Sequence, residues 1–142
     1  MSDSTFKVVE TLGEGHVQQL VALYQNEWWT RGRTVDEVRR MLAGSDHVFA
    51  MCTSSGERLV AFARVLTDGV FKALLLDIIV ASEFRSEGLG RKLMDTMVNH
   101  PILGNVRHLE LYCLPEMVGF YEKWGFSTEV SGIQFMRRNS TS

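Results

Sequence analysis

The stretch Asp77-Ile78-Ile79-Val80-Ala81-Ser82-Glu83-Phe84-Arg85-Ser86-Glu87-Gly88-Leu89-Gly90-Arg91-Lys92-Leu93-Met94 decides how this chain folds. It opens in an apolar run and passes through a polar segment with two glycines. Beyond that, Leu89, Leu93, Met94 and Met97 recur at helical spacing. The order is strand, loop, then a helix from about Gly88 to Asn99. Glycine lets the backbone approach a ligand closely, and the first N–H groups of a helix have no partner within it. With the helix dipole they form a place for phosphate oxygens. Arg85, Arg91 and Lys92 add positive charge at its rim. The segment is not a P-loop, since no Lys-Ser/Thr pair follows Gly90. It is not a dinucleotide fingerprint either, which needs a third glycine and follows the first strand. Taken alone, the glycine pair fits an ordinary turn equally well.

Working outward, Val70 to Ala81 is interrupted only by Lys72 and Asp77, the pattern of a central strand covered on both faces. Upstream, Phe6 to Val9 alternates as a strand. From His16 to Trp29, residues Val17, Leu20, Val21, Leu23, Tyr24 and Trp28 mark a helical stripe. Thr34-Val35-Asp36-Glu37 is a capping box opening a second helix, with Val35, Val38, Met41 and Leu42 on one face and Gly44 at its end. His47 to Thr53 and Leu59 to Leu66 read as strands, and Asp68-Gly69 as a hairpin turn. Downstream, Val106 to Cys113 reads as a strand parallel to Val70–Ala81, since a helix separates them. Pro115 suits the first turn of a helix that stops at Gly125. Phe126 to Val130 and Ile133 to Arg137 flank Ser131-Gly132 as a closing hairpin. The expectation is an α/β fold: one domain over residues 1–142, with a mixed sheet and helices on both faces.

Composition narrows the function. The 142 residues carry 15 basic and 17 acidic side chains, with basic residues no more than paired. No basic stripe for nucleic acid exists, so an anionic ligand must be held by local geometry. No apolar run approaches a membrane span. Met1-Ser2-Asp3-Ser4 lacks the pattern of a signal peptide. Cys52 and Cys113 sit in apolar runs and read as buried thiols. His16, His47, His100 and His108 are scattered, so no metal is implied. A cytoplasmic setting is the expectation.

A second motif joins the first. Leu109-Glu110-Leu111-Tyr112-Cys113 is followed by Val118-Gly119-Phe120-Tyr121-Glu122-Lys123-Trp124-Gly125-Phe126. The Arg-x-x-Gly-x-Gly of Arg85–Gly90 and the Phe-Tyr-Glu-Lys-x-Gly-Phe ending, in this order, resemble the acetyl-CoA signatures of the GNAT superfamily, the GCN-related N-acetyltransferases. The resemblance covers nearly the whole chain and is strongest from Asp77 to Phe126. It implies a sheet whose two parallel strands splay apart. Pantetheine then lies along Ile78, Ile79 and Val80, and the pyrophosphate lies on Arg85, Ser86, Glu87, Gly88, Leu89, Gly90 and Arg91. Ser82 stands where the family often has proline, Ser86-Glu87 replace a frequent Gly-Lys or Gly-Arg, and Leu114-Pro115-Glu116 occupies a region that often holds asparagine.

Acetyl transfer to an amine needs a neutral nucleophile, because an alkyl amine of pKa about 10.4 is almost wholly charged at pH 7. It also needs a proton for the departing thiolate. The resemblance makes Tyr121 the proton donor and a contact of the cofactor. Glu110 and Asp77 are the candidate bases; each could equally be a structural carboxylate. The resemblance also places the acceptor pocket on Tyr24 to Arg33, a stretch that carries Glu27, Trp28, Trp29 and Arg31 as candidate contacts; the two tryptophans beside the Glu27 carboxylate could hold an ammonium group. Trp28 also fits the helical stripe, which leaves Trp29 the better pocket candidate. The expected activity is acetyl-CoA-dependent acetylation of a primary amine, on a small molecule or a peptide, by direct attack on the thioester. Two alternatives remain open: a non-catalytic acyl-CoA-binding or sensing module, and a protein-interaction scaffold. The partner is then an amine acceptor rather than nucleic acid or membrane, and a homodimer is left open.

Overall fold

The computed structural model describes residues 6–140. Met1–Ser4, the segment read for a signal peptide, lies outside them. The chain divides into two compact units, Met1–Leu111 and Tyr112–Ser142.

The first unit is a five-stranded sheet in the order β1(Phe6–Val9), β2(His47–Thr53), β3(Leu59–Thr67), β4(Lys72–Val80), β5(His108–Glu110). The first four pair antiparallel, and β5 joins β4 in parallel. Helices α1(Glu14–Gln25) and α2(Val35–Gly44) cover one face, through Val17, Leu20, Tyr24 and Val38 against Ala50, Cys52, Phe62 and Ile79. Helix α3(Leu89–Val98) connects β4 to β5 and buries Leu89, Leu93, Met94 and Met97. The mixed sheet follows the expectation. β4 lies second from the edge rather than at the centre, and its burial alternates instead of being complete on both faces. Its Asp68-Gly69 approach is a built turn, in which the Asp68 carboxylate accepts from the amides of Val70, Phe71 and Lys72.

Local sequence accounts for the start of α2. The Thr34 hydroxyl accepts from the Glu37 amide at 3.1 Å, and the Glu37 carboxylate accepts from the Thr34 amide at 2.9 Å. Two otherwise orphaned N–H groups are satisfied reciprocally. Thr34→Ala should therefore cost about 1 kcal/mol. We expect the thermal midpoint to fall by a few degrees, read by circular dichroism, with no change in the cooperativity of unfolding.

Three expectations are corrected. The first helix ends at Gln25, four residues before Trp29. Thr30 turns its hydroxyl to the Tyr24 carbonyl at 2.8 Å, and the Gln25 side chain bonds the Arg33 carbonyl and the Gly32 amide, so the chain closes into a loop. Trp28 therefore leaves the helical stripe and is 69% exposed. The strand expected from Val106 to Cys113 is shorter, His108–Glu110, and Cys113 is exposed while Cys52 is buried. In the second unit the closing hairpin has its turn but no ladder. Ser131 and Gly132 adopt φ of 57° and 78°, the paired positive values of a type I′ turn, and the Ile133 amide donates to the Val130 carbonyl. No strand forms on either side of it. This unit otherwise holds a short 3₁₀ turn, Pro115–Met117, and α4(Val118–Glu122).

Candidate active site

β4 carries the first part of the site. Its pairing with β5 covers only Lys72↔His108, Ala73↔Leu109 and Leu74↔Glu110. Among the described residues, the stretch 75–80 has no strand on that edge, so the backbone of Ile78, Ile79 and Val80 is left without a ladder partner there. On the opposite edge, Phe62 pairs with Ile79 and Arg64 with Leu76, so Asp77 and Ile78 together face the single residue Ala63. This is a β-bulge, and Asp77 takes the left-handed φ of 56° that it requires. Few residues other than glycine accept that conformation; aspartate and asparagine are among them.

Asp77 is also the hub of a buried cluster. Its carboxylate accepts from Arg33 Nη1 at 2.7 Å, from Arg64 Nε at 2.7 Å and from the Tyr24 hydroxyl at 3.0 Å. The Arg33 guanidinium lies 4.5 Å from the Tyr24 ring centroid. Burial works to raise the Asp77 pKa, but the two guanidinium groups outweigh it and hold the carboxyl below its ordinary value. Burial, with the Asp77 charge beside it, drives the Tyr24 phenol strongly upward. A carboxylate so engaged has little affinity for a further proton, and these contacts make Asp77 an anchor.

Beyond β4 the chain passes Ala81, makes a 3₁₀ turn over Ser82–Glu87, and enters α3 through Gly88, whose φ is 76°. No side chain caps that N-terminus, so the first amides of α3 face outward as an anion site. Glu87, Gly88, Leu89, Arg91 and Lys92, with Phe6 and Asp95, line a shallow cavity of about 350 Å³. Arg85 points elsewhere. It donates from Nε to the Val80 carbonyl at 3.1 Å and from Nη2 to Glu27 at 2.7 Å. Glu27 is thereby committed to Arg85, while Trp28, Trp29 and Arg31 remain exposed in the loop between α1 and α2. Glu110 is exposed and pairs with Lys72 Nζ at 2.8 Å, where the β4–β5 ladder stops.

Tyr121 belongs to the second unit. It is buried, with its ring centroid 5.1 Å from Phe120 and 6.4 Å from Phe126. Burial, helped by Cys113, pushes its pKa up to about 12.

One grouping escaped the sequence. Glu10, His47 and His100 bring ligand-type atoms within 4.8 Å of one another. His100 Nδ1, however, accepts from the Ile102 and Leu103 amides. The ring proton therefore sits on Nε2, which faces Glu10 at 3.8 Å. A metal at Nε2 would require an imidazolate, because a ligating histidine normally donates from its other nitrogen. The Arg33–Asp77–Arg64 cluster was also missed, since its members are far apart in sequence.

Comparison with known proteins gives a consistent result. Residues 44–128 match the family model of the acetyltransferase (GNAT) domain. The chain is 37% identical over 106 residues to the rice (Oryza sativa subsp. japonica) serotonin N-acetyltransferase 2, chloroplastic, covering 73% of this chain and 53% of that protein. It is 38% identical over 79 residues to the Arabidopsis thaliana GCN5-related N-acetyltransferase 1, chloroplastic, covering 56% and 40%. The chain thus spans about half, or less, of the length of these relatives. A crystal structure of a Xanthomonas campestris protein belonging to the GNAT family superposes with a TM-score of 0.80 at 28% identity, over 95% of this chain and 93% of that one. The family match agrees with the order of β4, the Ser82–Glu87 turn and α3, and this chain belongs to the GNAT acetyltransferase family.

Proposed function

We propose that this protein is an acetyl-CoA-dependent N-acetyltransferase acting on a primary amine. The observation that carries the reading is the uncapped N-terminus of α3, entered through left-handed Gly88 directly after a strand with one open edge. Outward amides, the helix dipole, Arg91 and Lys92 suit a pyrophosphate, and the free edge of Ile78–Val80 suits the amide groups of a pantetheine arm. Acetyl-CoA supplies the activated acyl group. Glu87 lines the same cavity but is exposed, where water screens its charge.

The chain's own groups then divide the work. Asp77 fixes the bulge and ties Arg33, in the loop before α2, to β4. Glu110 is the stronger candidate for receiving the amine proton. Among the described residues its ion pair is with an exposed lysine, an interaction worth about 0–1 kcal/mol and easily exchanged. Tyr121 donates a hydrogen bond to the departing sulfur. Trp28, Trp29 and Arg31 contact the acceptor. Cys113 is exposed and unpaired, which favours a reducing compartment such as the cytoplasm.

The test combines turnover with binding. Thiol release from acetyl-CoA should depend on an added amine. Gly90→Val places a branched side chain among the outward amides and should raise the acetyl-CoA Kd at least tenfold, about 1.4 kcal/mol, with the fold intact by circular dichroism. An unchanged Kd removes the phosphate role of this loop. Tight binding without turnover on any amine favours the non-catalytic acyl-CoA-binding alternative.

A further inference from the structure

Two guanidinium groups share one carboxylate at the β4 bulge. Arg64 gives Asp77 only its Nε, at 2.7 Å, and its two terminal amino groups have no partner among the described residues. Arg33 gives Nη1 and Nη2, at 2.7 and 3.4 Å. One positive charge is left over, at side chains only 16% and 29% exposed. Charge held out of water in this way calls for a counter-charge. Glu37 feels the Arg33 charge only as an exposed group bonded into the α2 cap, while Glu27 pairs with Arg85 and Glu110 with Lys72.

The sheet beside Arg64 has a second property. Arg64 pairs with Leu76 and Leu66 with Leu74, so the three leucines share the face of Arg64. Leu66 is 38% exposed, and Leu74 and Leu76 are partly exposed. A fixed guanidinium fork thus stands at the end of an open apolar strip, next to the strand on which the acetyl group is to be presented.

Resting on the acetyltransferase reading, we infer that the acceptor is an amine that also carries an oxyanion, a carboxylate or a phosphate. That oxyanion seats on the terminal amino groups of Arg64 with support from Arg33, and an apolar body lies along Leu66, Leu74 and Leu76. Arginine suits both oxyanions because its planar fork donates two parallel hydrogen bonds to either. Arg64 is then a specificity residue, and Asp77 holds its Nε so that the fork keeps one orientation.

Matched acceptors test this. Phenylalanine against phenethylamine isolates a carboxylate, and phosphoethanolamine against ethanolamine isolates a phosphate. We expect the native enzyme to prefer the anionic member of at least one pair by roughly tenfold to hundredfold in kcat/KM, the scale of a hydrogen bond to a charged group. The favoured pair identifies which oxyanion is read. Arg64→Lys keeps a cation within reach of Asp77 but loses the fork. It should bring the two members of that pair to within about threefold of each other, with an unfolding midpoint close to native. Equal or better use of the neutral members overturns the inference and leaves the acetyltransferase reading standing, as does a preference that survives Arg64→Lys. Acetyl-CoA bound but transferred to no member of either pair overturns the inference, and transfer to no other amine either overturns the activity with it.

Discussion

Replacing Asp77 with alanine is expected to destabilise the protein by about 3 kcal/mol, the low end of the loss when one partner of a buried ion pair is removed. Arg33 and Arg64 would be left facing each other without their shared carboxylate, and the Tyr24 hydroxyl would lose its acceptor. Alanine would also have to hold the left-handed φ of the bulge, which aspartate tolerates better. For a chain of this size the thermal midpoint should drop by about 10 °C. Asp77→Asn keeps the turn preference and one acceptor oxygen, and should lose roughly half as much. The dependence on pH has a defined sign. The folded carboxyl titrates below its unfolded value of about 3.9. Its contribution is therefore complete above that value and disappears as pH falls through the lower, folded one. The stability difference between native and Asp77→Asn should be constant above about pH 5 and shrink in acid. A midpoint that stays within 2 °C of native in Asp77→Ala contradicts the anchor role.

Tyr121→Phe is expected to lower kcat about a hundredfold while changing acetyl-CoA affinity little, since the ring and its aromatic neighbours remain. The environment of the phenol decides the manner of its action. At about 12 its pKa stands about 3.5 above that of a thiol near 8.5, so complete proton transfer is roughly 5 kcal/mol uphill. Tyr121 therefore works as a protonated donor whose hydrogen bond strengthens as charge builds on sulfur, and water completes the transfer. Single-turnover kinetics would show the fall directly, and kcat should show no tyrosine limb below pH 10. An unchanged single-turnover rate would reduce Tyr121 to packing.

Signals contained in a few adjacent residues were legible from the sequence. The Thr34–Glu37 capping box, the Asp68-Gly69 turn and the entry to α3 at Gly88 each depend on neighbours within four residues, and each is built as read. Contacts between distant residues were not. The early end of α1 depends on Gln25 reaching Arg33 and on Thr30 reaching Tyr24, bonds that a 3.6-residue period does not encode. Asp77 drew notice as a charge in an apolar strand, but its partners stand 44, 13 and 53 positions away, so anchor and base looked alike. The partner of Glu27, a candidate acceptor carboxylate, is Arg85, 58 residues on, a pairing that no local spacing shows. The C-terminal segment shows the converse: its turn chemistry was read correctly, and the ladder that should follow does not form.

The bulge at Asp77 also bears on how the chain avoids self-association. Ala73–Ala81 is the most apolar run in the protein, with an edge that β5 pairs only at its first two positions. A flat apolar edge of that length is a template for another copy of itself, the starting point of cross-β stacking. A charged residue in a left-handed kink splits the run into Ala73–Leu76 and Ile78–Ala81, each shorter than the six or so residues a steric zipper needs. The same aspartate that ties Arg33 to β4 divides the apolar strand that carries it.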